Sequence, residues 1–164
     1  MSRLLALRLI LMTPSDSDRA ARASSHRSSS LRLQALNETG LLEGGKENKE
    51  DLDTLTALAC RLLEVPVALV TLIAEDRQVF ASQAGLEGPW ATLNQTPLSH
   101  SFCQYTLGST EPLLVEDARL RPLAEHNAAI SDLGVVAYAG SADSRGRRNA
   151  GRAVRHRFTA AHLV

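Results

Sequence analysis

Between Glu50 and Leu63 the apolar residues Leu52, Leu55, Leu58, Ala59, Leu62 and Leu63 recur at three- and four-residue spacing. That rhythm predicts one apolar stripe along an α-helix. Glu50, Asp51 and Asp53 fall in its first turns and Arg61 in its last, the polarity a helix dipole favours, and Pro66 stops it. VALVTLIA (67–74) is apolar nearly throughout and rich in β-branched residues. It is too short for a second helix and reads as a strand buried on both faces. Glu75-Asp76-Arg77 turns the chain into RQVFASQ (77–83), a second strand antiparallel to the first.

Weaker patterns flank this centre. LRLQALNETGLL, from Leu31, predicts a short helix closed by Gly40, and GGKENKE is a polar connection. Gly85, Gly88 and Pro89 open a loop that carries Trp90. Ser101–Leu107 suits one or two helical turns capped by Ser99 or Ser101. PLLVED (112–117) and GVVAYAG (134–140) read as strands, with a loop and short helix over 121–132. Residues 13–30, TPSDSDRAARASSHRSSS, hold almost no large apolar side chain and are expected to be disordered.

Charge sharpens this division. The formal net charge is zero. Residues 1–36 carry six Arg against Asp16 and Asp18, residues 37–140 carry fifteen acids against six bases, and residues 141–164 carry six Arg against Asp143. An acidic middle between basic ends argues against a phosphate-backbone partner for the patterned region. The ends lack interleaved aromatics or a docking motif, so no nucleic-acid partner is expected. LLALRLILM, near the start, is short for a membrane span and broken by Arg8, so no membrane partner is expected either. Two cysteines outside any C-x-x-C pair make no disulfide framework and fit a reducing, cytoplasmic setting.

In this order and wording, LQALNETGLL, DLDTLTALACRLLEVPVALVTLIAEDRQVFASQAGL, TPLSHSFCQYTL, EPLLVEDARLRPLAEHNAAI and GVVAYAG resemble bacterial GAF domains of sensory proteins. The resemblance covers about residues 31–140. It implies an α+β fold, a central antiparallel sheet flanked by helices, and a module that binds a small molecule or dimerises without catalysing a reaction. It also implies a downstream signalling effector such as a histidine kinase, diguanylate cyclase or phosphatase. After GVVAYAG the family would continue through further strands and a closing helix. This chain reads SADSRGRRNAGRAVRHRFTAAHLV, with no apolar run of strand length. Residues 141–164 are therefore expected to be a disordered or frame-shifted tail, the GAF-like part of 31–140 to be incomplete, and 1–30 to be a leader. A non-functional fragment of a longer sensor is one reading of that arrangement.

LSHSFCQYTL (98–107) concentrates the candidate chemistry. His100 and Cys103 are three apart and would share a helix face, with Asp117 as the acid to orient the base; this is the cysteine-enzyme alternative. No strand–glycine elbow–helix context accompanies them. His100, Cys103, His126 and Cys60 lack zinc-ligand spacing beyond a bare H-x-x-C, and no metal or cofactor is expected. The binding reading assigns Phe102 and Tyr138 as apolar walls of a small-ligand pocket, with Cys103 and Asp117 as its polar contacts. A homodimer would form through the Leu52, Leu55, Leu58 and Leu62 face.

Overall fold

The computed structural model describes residues 15–38, 40, 42 and 49–142, together with the backbone strand 157–163. The segment expected to be disordered contains a capped helix, α1 (Asp16–Arg27). Ser15 Oγ accepts from the Asp18 amide at 3.1 Å, Asp16 and Asp18 occupy the first turn, and His26 and Arg27 the last. Both ends of the dipole are thereby complemented. Arg19 and Ala23, four apart, form its buried face. Ala23 joins the core cluster with Phe102, Cys103, Leu107 and Leu113. A low content of large apolar residues concealed a helix that gives the apolar core one alanine and docks otherwise through arginine and aspartate side chains. The expected leader residues 1–14 lie outside the described residues, as do 43–48 of the polar connection.

Helix α2 (Ser30–Asn37) sets Leu36 against Leu72 and Val79 of the sheet. Helix α3 (Lys49–Leu63) forms where the stripe predicted it, but it turns a different face inward. Leu52, Thr56 and Ala59 are buried, while Leu55, Leu58, Leu62 and Leu63 are exposed. Polar chemistry selects this face. Thr56 Oγ1 meets Ser82 Oγ at 2.9 Å, and Ser82 Oγ donates to Asp53 Oδ1 at 2.6 Å. Small residues at 56 and 59 let the helix lie close to the sheet, a role the leucines cannot fill.

Six strands form one antiparallel sheet: β1 (Val67–Ile73), β2 (Arg77–Ala84), β3 (Gln95–Pro97), β4 (Leu113–Val115), β5 (Val135–Gly140) and β6 (Arg157–Leu163), in the order β3-β2-β1-β6-β5-β4. Every residue of β1 is buried, as its sequence predicts. A bulge at Val70/Thr71 shifts its register with β2. The loop around Trp90 contains a short helix, α4 (Pro89–Leu93), and α5 (Ala129–Leu133) precedes β5.

Part of the segment expected to be a disordered or frame-shifted tail is a strand, β6. Residues 157–163 form a strand, in register with β1 from Val67↔Ala161 to Thr71↔Arg157 and with β5 from Val135↔Leu163 to Gly140↔Thr159. The slot between β1 and β5 offers two unpaired backbone edges, and pairing both satisfies groups whose burial is otherwise costly. Backbone pairing is not sequence-specific, so a stretch without hydrophobic alternation can supply it. Of the tail, residues 143–156 lie outside the described residues.

Two features of this framework predict measurable stability effects. Arg19 is 3% exposed, and its Nη2 donates to the Pro112 carbonyl at 3.1 Å, but its Nε and Nη1 have no hydrogen-bond partner. Burial, and then the neighbouring Arg121, lowers its pKa. An unmade buried hydrogen bond costs about 1–3 kcal/mol, and an apolar side chain of similar length removes that cost. Arg19→Met is expected to be neutral or to stabilise by up to about 2 kcal/mol in urea unfolding. A loss above about 2 kcal/mol would show that the single bond to Pro112 outweighs the unmade ones.

The second concerns Asp53. Partial burial pushes its pKa up, but hydrogen bonds from Lys49 and Ser82 outweigh it and hold the carboxyl below its usual value of 3.8. A depressed native pKa contributes stability that is complete above the unfolded value and lost as pH falls through the native one. The stability difference between the wild type and Asp53→Asn is therefore expected to be constant near neutrality and to shrink below pH ~4. Urea titrations across that range check it.

Candidate functional site

The residues between β3 and β4 fold over one face of the sheet as two 3₁₀ turns, Leu98–His100 and Cys103–Thr106. A buried polar network holds them there. Ser101 Oγ donates to Gln78 Oε1 of β2, and Asn127 Nδ2 donates to the Ser101 carbonyl at 3.1 Å. Gln104 Nε2 donates to the carbonyls of Leu98 and Ser101 at 2.6 and 3.0 Å, while its Oε1 accepts from Arg27 Nη1 at 3.0 Å. The Gln104 amide completes the turn on Ser101 Oγ at 3.2 Å, the capping role expected of that serine.

Beneath this cover lies a cavity of about 40 Å³, with room for ~3 water-sized molecules. Val67 and Leu69 of β1, and Gln78 and Phe80 of β2, form part of its wall. Thr96 of β3 adds to it, as do Val135 and Tyr138 of β5. His100, Phe102 and Cys103 close the cavity from the turns, with Ala129 and Leu133 from α5. The Phe102 and Tyr138 rings stack with centroids 5.2 Å apart and planes 25° from parallel. Stacking fixes the two rings as one rigid wall. Tyr105 meets Phe102 edge-on at 6.5 Å.

Of the four residues assigned from sequence, Phe102, Cys103 and Tyr138 line this cavity together. Asp117 is not among its lining residues. Its carboxylate accepts from Arg119 Nε and Nη2 at 2.8 and 2.6 Å and from the Arg119 amide at 3.0 Å, capping a turn at the end of β4. Those bonds, led by the side-chain pair, hold the Asp117 pKa below the usual range. The correction is local: an Asp two residues before an Arg at a turn closes on that Arg first.

The acid beside His100 is Asp132, of α5. His100 Nε2 lies 3.0 Å from Asp132 Oδ2, and Nδ1 lies 3.0 Å from Ser99 Oγ. The Trp90 ring covers the imidazole at 5.1 Å. The Ser131 hydroxyl, and then His100, lowers the Asp132 pKa. Serine, histidine and acid thus fall in line, but Ser99 is exposed on the outer side of the ring, away from enclosure by apolar walls. Nothing in the sequence ties position 100 to 132, so this pairing could not be read from spacing. Cys103 is 2% exposed, enclosed in the core cluster. Thr96, on a three-residue strand, is 2% exposed, and its buried Oγ1 has no hydrogen-bond partner. Among the described residues no group of three His, Cys, Asp or Glu is placed to hold a metal ion, and no helix is long and apolar enough to cross a membrane.

Comparison with known proteins gives the architecture a context. No family model matches the chain. A cyclic di-GMP phosphodiesterase of Pseudomonas aeruginosa is 32% identical over 92 residues, which are 56% of this chain and 14% of that protein. The chain thus spans about a seventh of that relative's length. Among solved structures, the GAF domain of a phosphoenolpyruvate-protein phosphotransferase from Coxiella burnetii superposes with a TM-score of 0.53 at 14% identity, covering 80% of this chain and 77% of that one. The GAF domain region of a Geobacter sulfurreducens protein superposes with a TM-score of 0.50 at 15% identity, covering 80% and 83%.

Proposed function

We propose that the chain, which has the fold of a GAF domain with a small, partly open cavity, is a cytoplasmic sensory or regulatory module of bacterial signal transduction that binds a small molecule and catalyses no reaction of its own. The cavity behind the Phe102–Tyr138 stack carries this reading. It is a mostly apolar, partly open space covered by turns that hydrogen bonds, not packing alone, hold in place, and few polar groups reach it. That is the composition of a ligand pocket. The 98–107 turns bear on the cavity on one side and on α1 on the other, through Arg27 and Gln104. A ligand that moves the turns would therefore bias the N-terminal helix. An effector is the partner this implies, and the phosphodiesterase relative offers one class of effector.

A thermal-shift screen of small molecules tests the reading. A binder is expected to raise the melting temperature saturably in the wild type and not in Leu133→Phe, whose ring would fill the cavity. A binder that stabilises both proteins equally acts elsewhere and counts against the pocket. The cysteine-enzyme alternative predicts a thiolate at Cys103 with a labelling midpoint well below the free-thiol value of ~8.5. Burial of that residue favours an unreactive thiol instead.

A second reading, self-association, is favoured by the outward face of α3. Leu55, Leu58 and Leu62 are 52%, 46% and 72% exposed and recur at the spacing of a coiled-coil seam. The expected partner is a second copy, with Leu52 of the notional seam turned into the core instead. Light scattering across a dilution series is expected to show a dimer that Leu58→Glu with Leu62→Glu converts to a monomer. A wild type that is monomeric throughout would sink the idea.

A further inference from the structure

Resting on the small-molecule reading above, we infer that the cavity takes a small uncharged molecule with an apolar body and a single hydrogen-bonding group, held at the Thr96 hydroxyl. The polar groups around the cavity are mostly spent. Gln78 Oε1 accepts from Ser101, and the two ring nitrogens of His100 are engaged by Ser99 and Asp132. The Tyr138 ring stacks on Phe102, and its hydroxyl lies against Gly140 of the same strand. A cysteine such as Cys103 behaves as a small apolar residue with a weak hydrogen-bonding group. Thr96 is different: its side chain is buried in the wall, and Oγ1 has no partner.

A hydroxyl both donates and accepts, so it fits an alcohol, a ketone or an amide equally. A buried hydroxyl left unpaired is destabilising, which gives a ligand that pairs with it an advantage over one that does not. Charge is selected against by the same wall. None of the described lining residues is a lysine, arginine, aspartate or glutamate, and the acid that reaches the lining residue His100, Asp132, is engaged by it. A carboxylate or phosphate would enter a mostly apolar space with no lysine or arginine to offset it, an expensive burial. The size of the space sets the scale: a body of a few non-hydrogen atoms, not a nucleotide.

Propan-2-ol and acetate match in size and differ in charge, so they serve as probes. Titrated into the ¹⁵N-labelled full chain, propan-2-ol is expected to move the amide resonances of Thr96, Phe102 and Tyr138 saturably, with a Kd on the order of millimolar. Acetate is expected to produce no saturable shift there over the same range. Thr96→Val keeps the shape and removes the hydroxyl, and is expected to weaken propan-2-ol by roughly fivefold, the worth of one neutral hydrogen bond. Thr96→Ser keeps the hydroxyl and is expected to stay within about twofold of the wild type. Acetate binding as tightly as propan-2-ol overturns the assignment of charge, which needs no variant to read. Equal affinity in Thr96→Val overturns the assignment of Thr96. If neither probe saturates in any of the three proteins, the space is packed core, and the small-molecule reading falls together with its ligand class.

Discussion

Gly85→Ala is expected to cost about 4 kcal/mol, while Gly88→Ala, three residues on, is expected to cost about 2 kcal/mol. Both glycines have positive φ, +80° and +74°, so an alanine is strained at either position. They differ in what surrounds them. A Cβ at 85 would lie 1.8 Å from the Pro66 carbonyl oxygen and 3.0 Å from its carbon, whereas a Cβ at 88 meets nothing within 4 Å. The obstacle at 85 is backbone and cannot rotate aside. Nor can it retreat, because Pro66 leads directly into β1, whose residues are all buried. From the helix side Cys60 Sγ already sits 4.0 Å from the same Pro66 oxygen and 3.9 Å from that of Ala84. The end of the β1–β2 hairpin would have to open. Because Val67, Leu69, Gln78 and Phe80 of this hairpin wall the cavity, ligand response should fail with it. Urea unfolding of the two variants side by side subtracts the shared φ strain and leaves the clash. Equal costs would show that the hairpin end yields freely.

The parts legible in the sequence and the parts that were not differ in physical kind. β1 was legible because its partner surfaces are apolar on both sides, and an uninterrupted run such as VALVTLI has no other use. α3 was legible as a helix, but its orientation was not. Periodicity marks which residues share a face, whereas Thr56 wins the core through its bond to Ser82, on a strand the helix pattern does not mention. α1 and β6 failed for the opposite reason, since each is held by something other than large apolar side chains. A cap, a dipole, one alanine and arginine hydrogen bonds hold α1, and two backbone edges pair with β6. The site divides in the same way. Phe102, Cys103 and Tyr138 sit in blocks whose wording carries the family resemblance, and the cavity gathers all three. Thr96 lies on a three-residue strand with no pattern of its own, and Asp132 reaches His100 across thirty-two positions. Tertiary contacts at that range leave no trace in a single chain's spacing.

Arg32→Met is expected to destabilise the chain by about 3 kcal/mol, the opposite outcome to that expected for Arg19→Met. Burial lowers the pKa of both arginines, so each charge is unfavourably placed before its contacts are counted. The contacts decide the sign. Arg32 projects from α2 and donates from Nε to the His26 carbonyl and from Nη2 to the Arg27 carbonyl, each at 2.8 Å. Its Nη1 donates to the carbonyl of Ile73, the last residue of β1. One planar fork thus closes the C-terminal end of α1, where carbonyls lack helical partners, and ties it to the central strand. Methionine fills the space but removes three donors, of which the Ser29 amide, 3.3 Å from the His26 carbonyl, replaces one. Arg32→Lys should recover only part of the loss, because a single ammonium cannot span three carbonyls on two elements. Arg19 makes one such bond and leaves two donors unmade, so removing it costs little. Urea unfolding of the three variants reads the contrast directly. If Arg32→Met and Arg19→Met shifted stability alike, the number of satisfied donors would not be what separates a stabilising buried guanidinium from a costly one. The join between α1 and β1 would then rest on packing around Ala23 and Ile73, which share the core cluster.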